Sequence, residues 1–97
     1  MSLMDIALRT GIPLADIEDL VRGTVTDSVA SRLGIPMLAL QEFVRHGQAS
    51  AKVAHRLGMS MVSAEELAQS LGSEGAIGLV LGLLLGGRER KQAATAG

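Results

Sequence analysis

MDIALRTGIPLADIEDLVRG, residues 4–23, is the stretch on which the fold turns. Gly11 stands four residues after Ala7, Ile12 and Pro13 follow it, and Ile17 and Leu20 come ten and thirteen after the alanine. A glycine can take the left-handed conformation that closes a helix, and proline suits the first turn of the next one. Aliphatics three apart give that second helix one apolar stripe. The stretch predicts two short helices joined by a tight turn, touching where the small side chain of Ala7 lets them approach.

The pattern recurs twice. Ala7, Ala30 and Ala54 lie 23 and 24 residues apart. Each follows a β-branched residue (Ile6, Val29, Val53) and precedes an arginine by two (Arg9, Arg32, Arg56) and a glycine by four (Gly11, Gly34, Gly58). Ile12, Ile35 and Met59 come next, then Pro13, Pro36 and Ser60. The stripe becomes Leu40 and Phe43, then Ala64 and Leu67, beside the acids Asp19, Glu42 and Glu66. Gly23, Gly47 and Gly72 mark the ends of the second helices, and Thr26 and Ser50 are expected to cap the next short ones. Self-similarity at this period is the signature of stacked supersecondary units. Residues 1–74 thus divide into three units, about 4–23, 27–47 and 50–72.

Composition agrees with an all-α bundle or short stack. Apolar residues make up 47% of the 97, yet Phe43 is the one aromatic. A core of Leu, Ile, Val, Ala and Met fills helix interfaces, whereas β-sandwiches draw on aromatic and β-branched residues. The absence of cysteine excludes disulfides and thiolate chemistry. With no signal-peptide pattern in Met1 to Leu8, a cytoplasmic protein is expected.

Alanine, glycine four later, then aliphatics at ten and thirteen resembles the helix-turn-helix. Residues 4–23 look like the central helix pair of lambda-repressor-like, Xre-type domains, and VASRLGIPMLALQEFV is similar to their last two helices. The resemblance covers residues 4–46, and the third unit extends it to Gly72. It implies a small DNA-associated regulator, a repressor, antitoxin or phage control protein, whose second helices face the DNA.

The residues on those second helices carry different chemistry. Leu14, Ala15, Asp16, Glu18 and Asp19, then Met37, Ala39, Gln41 and Glu42, then Met61, Ser63, Glu65 and Glu66 are mostly apolar or acidic. A base reader needs Arg, Lys, Asn, Gln or Ser there. The net charge is −1, distributed as −2 over residues 1–23, 0 over 24–47, −1 over 48–74 and +2 over 75–97. Candidate contacts to nucleic acid or to a partner are Arg9, Arg32, Gln41, Arg45, His46, Gln48, Lys52 and Arg56. The recurrent arginines read either as phosphate contacts or, preferably, as surface partners of Asp19, Glu42 and Glu66. Asp19 with Arg22 and Glu42 with Arg45 are spaced i, i+3 on one helix face. Met37 and Met61, at matching positions, are core filler or an adaptable binding surface.

GAIGLVLGLLLGG, residues 75–87, holds no charge and places Gly78, Gly82 and Gly86 four apart. Such spacing permits close helix contact in a membrane, but 13 residues fall short of the ~20 a span needs. Gly78 lies 24 after Ala54 and Gly82 matches Gly58, so the stretch reads as a degenerate fourth short helix capping the stack. Ile77, Val80, Leu81, Leu84 and Leu85 are its candidate oligomer contacts. Residues 88–97 read as a basic, then disordered, tail.

No catalytic, metal or cofactor site is expected. GxxxxGK is missing, His46 and His55 lie nine apart off any shared face, and no serine has a recognisable His–Asp set. The expectation is a non-enzymatic, homo-oligomeric binding protein. Its partner is DNA or, alternatively, a protein that this helix-turn-helix-derived adaptor engages. Membrane association is the third alternative.

Overall fold

Gly11, Gly34 and Gly58 take left-handed φ values of 76°, 69° and 74° in the computed structural model, so each closes the short helix before it. The structure describes the backbone of residues 2–96 and the side chains of residues 2–86. The readings on the Arg88–Lys91 charges and on the tail that ends at Gly97 lie outside the described side chains. The helices are α1 (Leu3–Thr10), α2 (Leu14–Val21), α3 (Asp27–Leu33), α4 (Met37–His46), α5 (Ala51–Leu57) and α6 (Met61–Ala96). There is no strand among the described residues.

The turns repeat in atomic detail. The Ile35 and Met59 N–H groups donate to the carbonyls of Ala30 and Ala54, both at 3.1 Å. These are the long-range bonds of a Schellman ending. The first unit differs because Thr10 stands where the others have Leu33 and Leu57. Its buried hydroxyl donates to the Ile6 carbonyl at 2.8 Å and accepts the Ile12 N–H at 3.2 Å. Helix starts differ too. Ser50 accepts the Val53 N–H at 3.3 Å, as expected of a cap. Thr26 occupies the N-cap position of α3 with extended backbone but makes no capping bond, and its hydroxyl is buried without a partner among the described residues.

Phe43, Ile17, Leu20, Leu40, Val29, Val44, Val53 and Val80 form the fully buried centre. Burying a side chain of this size stabilises the fold by about 1.5–3 kcal/mol. The alanines predicted at helix contacts, Ala7, Ala30 and Ala54, are all buried. The Cα radius of gyration is 12.7 Å, against about 13 Å for a compact domain of 100 residues.

α6 departs from the repeat. It packs against all five other helices, so the apolar C-terminal segment is a spine of the globule. Its inner face is Ala64, Ala68, Ala76, Ile77, Val80, Leu83 and Leu84. The predicted fourth short helix with a turn at Gly82 does not form: helix runs through that position, and Gly82 has no positive φ. A run of leucines with no proline or polar residue gives the helix no reason to stop. The break falls earlier, at Gly72, with φ 78° and ψ −178°. That combination is essentially confined to glycine. Gly75 is tied to the same bend, because a Cβ there would lie 2.1 Å from the Leu71 Cβ.

Candidate interaction surface

Gln41, expected to face a partner, is turned inward onto the linker between the first two units. Its Nε2 donates to the Gly23 carbonyl at 2.7 Å, and its Oε1 accepts the Val25 N–H at 3.0 Å. Arg45 reaches the same segment. Its Nε donates to the Gly23 carbonyl at 3.1 Å and a terminal guanidinium nitrogen meets the Thr24 hydroxyl at 3.5 Å. Glu65 repeats the device one unit on, its carboxylate accepting the Ala49 N–H at 3.0 Å. Gln41 and Glu65, like Val25 and Ala49, are 24 residues apart. The offset is therefore a signal for the clamp, although position on the second helix alone predicts that both side chains face outward.

Arg9, Arg32, Lys52 and Arg56 are exposed, as are His46 and Gln48. The anticipated pairing of the recurrent arginines with Asp19, Glu42 and Glu66 is not formed. Among the described residues the one ion pair is Arg22 with Asp19, at 2.9 Å. Asp19 finds its cation one turn away on its own helix. Glu42 lacks its expected partner Arg45, because that guanidinium is spent on Gly23. Asp5 closes a capping box with Ser2: the Ser2 N–H donates to its carboxylate and the Asp5 N–H to the Ser2 hydroxyl, both at 3.2 Å. The bonds from Ser2 hold the Asp5 carboxyl below its ordinary pKa, and Arg9 adds to the effect.

Of the candidate oligomer contacts, Ile77, Val80 and Leu84 are buried within the single chain and Leu81 and Leu85 are half-buried. The intramolecular spine consumes the face assigned to a second subunit. Gly78 and Gly82 form the outer face, with open space above each Cα. By length and composition Met61–Gly86 could cross a membrane. In this fold its inner face is core and its backbone is interrupted at Gly72.

The starts of the second helices in units two and three present apolar side chains. Leu38 is 71% exposed and Val62 66%, at the same position of successive units, each preceded by a half-exposed methionine, Met37 or Met61. Beside Leu38 runs a groove of 440 Å³ between the start of α4 and the linker into α5. Its walls are Pro36, Leu38, Ala39 and Ala49, with Glu42, Gln48 and Ser50 as the polar rim. A second, smaller cleft of 170 Å³ lies at the Gly72 break, against Phe43, His46 and Gln69. No cluster of three or more potential metal ligands occurs among the described residues. No family model, no curated protein and no solved structure matches the chain.

Proposed function

We propose that this protein is a non-enzymatic adaptor that binds protein surfaces through the apolar starts of its second helices. One observation carries the reading: Leu38 and Val62 are largely exposed at one repeat position, where a DNA reader would place polar side chains. Exposed aliphatics beside a groove are the usual build of a helix-in-groove contact. The flanking Met37 and Met61 add an adaptable surface. The diversion of Gln41 and Arg45 into the linker clamp removes two polar groups from the set a nucleic acid could use.

A photo-crosslinking side chain in place of Leu38 tests this in the full chain. Protein adducts competed away by excess wild-type chain support the adaptor. Absence of any protein adduct, together with tight binding to random duplex at low salt, would overturn it.

A DNA-binding regulator is the second reading. It rests on Arg9, Arg32 and Arg56, which are exposed and form no ion pair among the described residues. Phosphate contacts dominate nonspecific affinity. The triple change of these arginines to alanine is then expected to abolish a low-salt gel shift, whereas the adaptor reading expects no shift to abolish.

A further inference from the structure

Leu8 is the most exposed large apolar side chain among those described, at 75%, and Met4, one turn earlier on the same face of α1, is 50% exposed. The opposite face of α1 is spent on the core through Ile6 and Ala7. α1 thus carries apolar side chains on two sides, one packed inward and the other open. Arg9, adjacent to Leu8, makes no ion pair among the described residues. The groove beside Leu38 is complementary. It is apolar through Leu38 and Ala39, and its rim carries Glu42, whose carboxylate has no ion-pair partner among the described residues, Arg45 being committed to Gly23.

We propose that the Leu38 groove receives the outer face of α1 from a second copy of this chain. Leu8 and Met4 enter the groove and Arg9 meets Glu42. The inference rests on the protein-binding reading and names the occupant. Within one chain α1 packs on α2 and α6, and Leu8 stays in solvent, so the contact forms between copies. The apolar groups exclude water while the Arg–Glu pair sets register and rejects the reverse orientation. The two surfaces differ, so the association is head to tail. Each added copy presents a fresh groove and a fresh α1, so the assembly closes into a ring or extends, according to the rotation between copies. With two aliphatic anchors per contact, the association is weak and rises with concentration.

Sedimentation of the full-length chain over a concentration series tests the proposal. Wild-type mass is expected to rise above that of the monomer as concentration increases. Leu8→Asp retains an intact groove and Leu38→Asp an intact α1. Each alone is expected to stay monomeric, and an equimolar mixture to form a one-to-one dimer and nothing larger. Arg9→Glu and Glu42→Arg should each weaken association about tenfold, and the double change should restore part of it. All four positions sit outside the core, and unchanged helical circular dichroism confirms that each variant is folded. A wild-type chain that stays monomeric throughout overturns the proposal. So does an L8D–L38D mixture that fails to associate, or a charge reversal without rescue. Foreign-protein adducts at position 38 that survive such a failure would leave the adaptor reading standing and remove only the second copy as occupant.

Discussion

Gln41 holds Gly23: its amide nitrogen donates to the Gly23 carbonyl at 2.7 Å while its oxygen takes the Val25 N–H. One side chain therefore satisfies a carbonyl and an N–H of a linker that belongs to no helix. This matters because a part-buried N–H or carbonyl left unmade costs about 1–3 kcal/mol.

Gln41→Ala is expected to lower unfolding stability by about 1–3 kcal/mol, with early hydrogen exchange at Val25. Gln41→Glu keeps the acceptor but loses the donor, and a carboxylate then faces the Gly23 carbonyl; a loss of about 1 kcal/mol or more is expected. Glu65 occupies the equivalent position and already accepts from Ala49. Glu65→Gln adds a donor toward the carbonyl of Gly47, the counterpart of Gly23, and should raise stability by roughly 0.5–1 kcal/mol. Urea melts of the three variants check the set.

Glycines of α6 should respond with opposite signs. Gly72→Ala forces a side chain onto a glycine-only conformation and should cost about 1–3 kcal/mol. Gly78 is helical with open space above it, so Gly78→Ala should stabilise by about 1 kcal/mol. Thermal midpoints moving in the same direction for both would contradict the bend at Gly72.

Thr10→Val tests the exceptional first turn. The change is nearly isosteric but leaves the Ile12 N–H without its acceptor. A loss of about 1–3 kcal/mol is expected, with faster exchange at Ile12. The Schellman endings at Ile35 and Met59 should be unaffected.

The Ser2–Asp5 box predicts an acid dependence. The folded state holds the Asp5 pKa below its ordinary value. Its contribution is therefore fully present above the unfolded pKa of about 4 and is lost as pH falls through the depressed folded value. Fraying of α1 below pH ~4 should be detectable by exchange at Ile6 and Ala7. Asp5→Asn should remove that dependence, whereas Ser2→Ala should remove only part of it, because the backbone N–H of residue 2 still donates to the Asp5 carboxylate.

The periodic residues made much of the fold legible. Ala7, Ala30 and Ala54 are buried, Gly11, Gly34 and Gly58 are left-handed, and the stripes from Ile17 to Phe43 are core. These positions obey local rules: a turn that needs positive φ and a face that must leave water. The surface was less legible. Asp19 pairs with Arg22 as their i, i+3 spacing predicts, but Arg45 takes Gly23 in place of Glu42, and the arginines recurring in the repeat leave the recurring acids unpaired. Long polar side chains take whichever partner lies within reach, and reach is set by where the linkers run.

MDIALRTGIPLADIEDLVRG and its two echoes determined by themselves that the chain is helical, where the short helices stop and that the recurring alanines and the stripes of the first two units are buried. Each of those outcomes follows from neighbours a few residues apart. In the third unit, by contrast, Leu67 is half-buried and Ala68 takes the core position. Only the tertiary structure decided that residues 75–86 are a spine rather than a fourth unit, and that Gln41 and Glu65 face inward. The tertiary structure also decided that Leu8, Leu38 and Val62 are left in water. Those outcomes depend on which distant helix arrives to cover a face, and a repeat pattern carries no record of that.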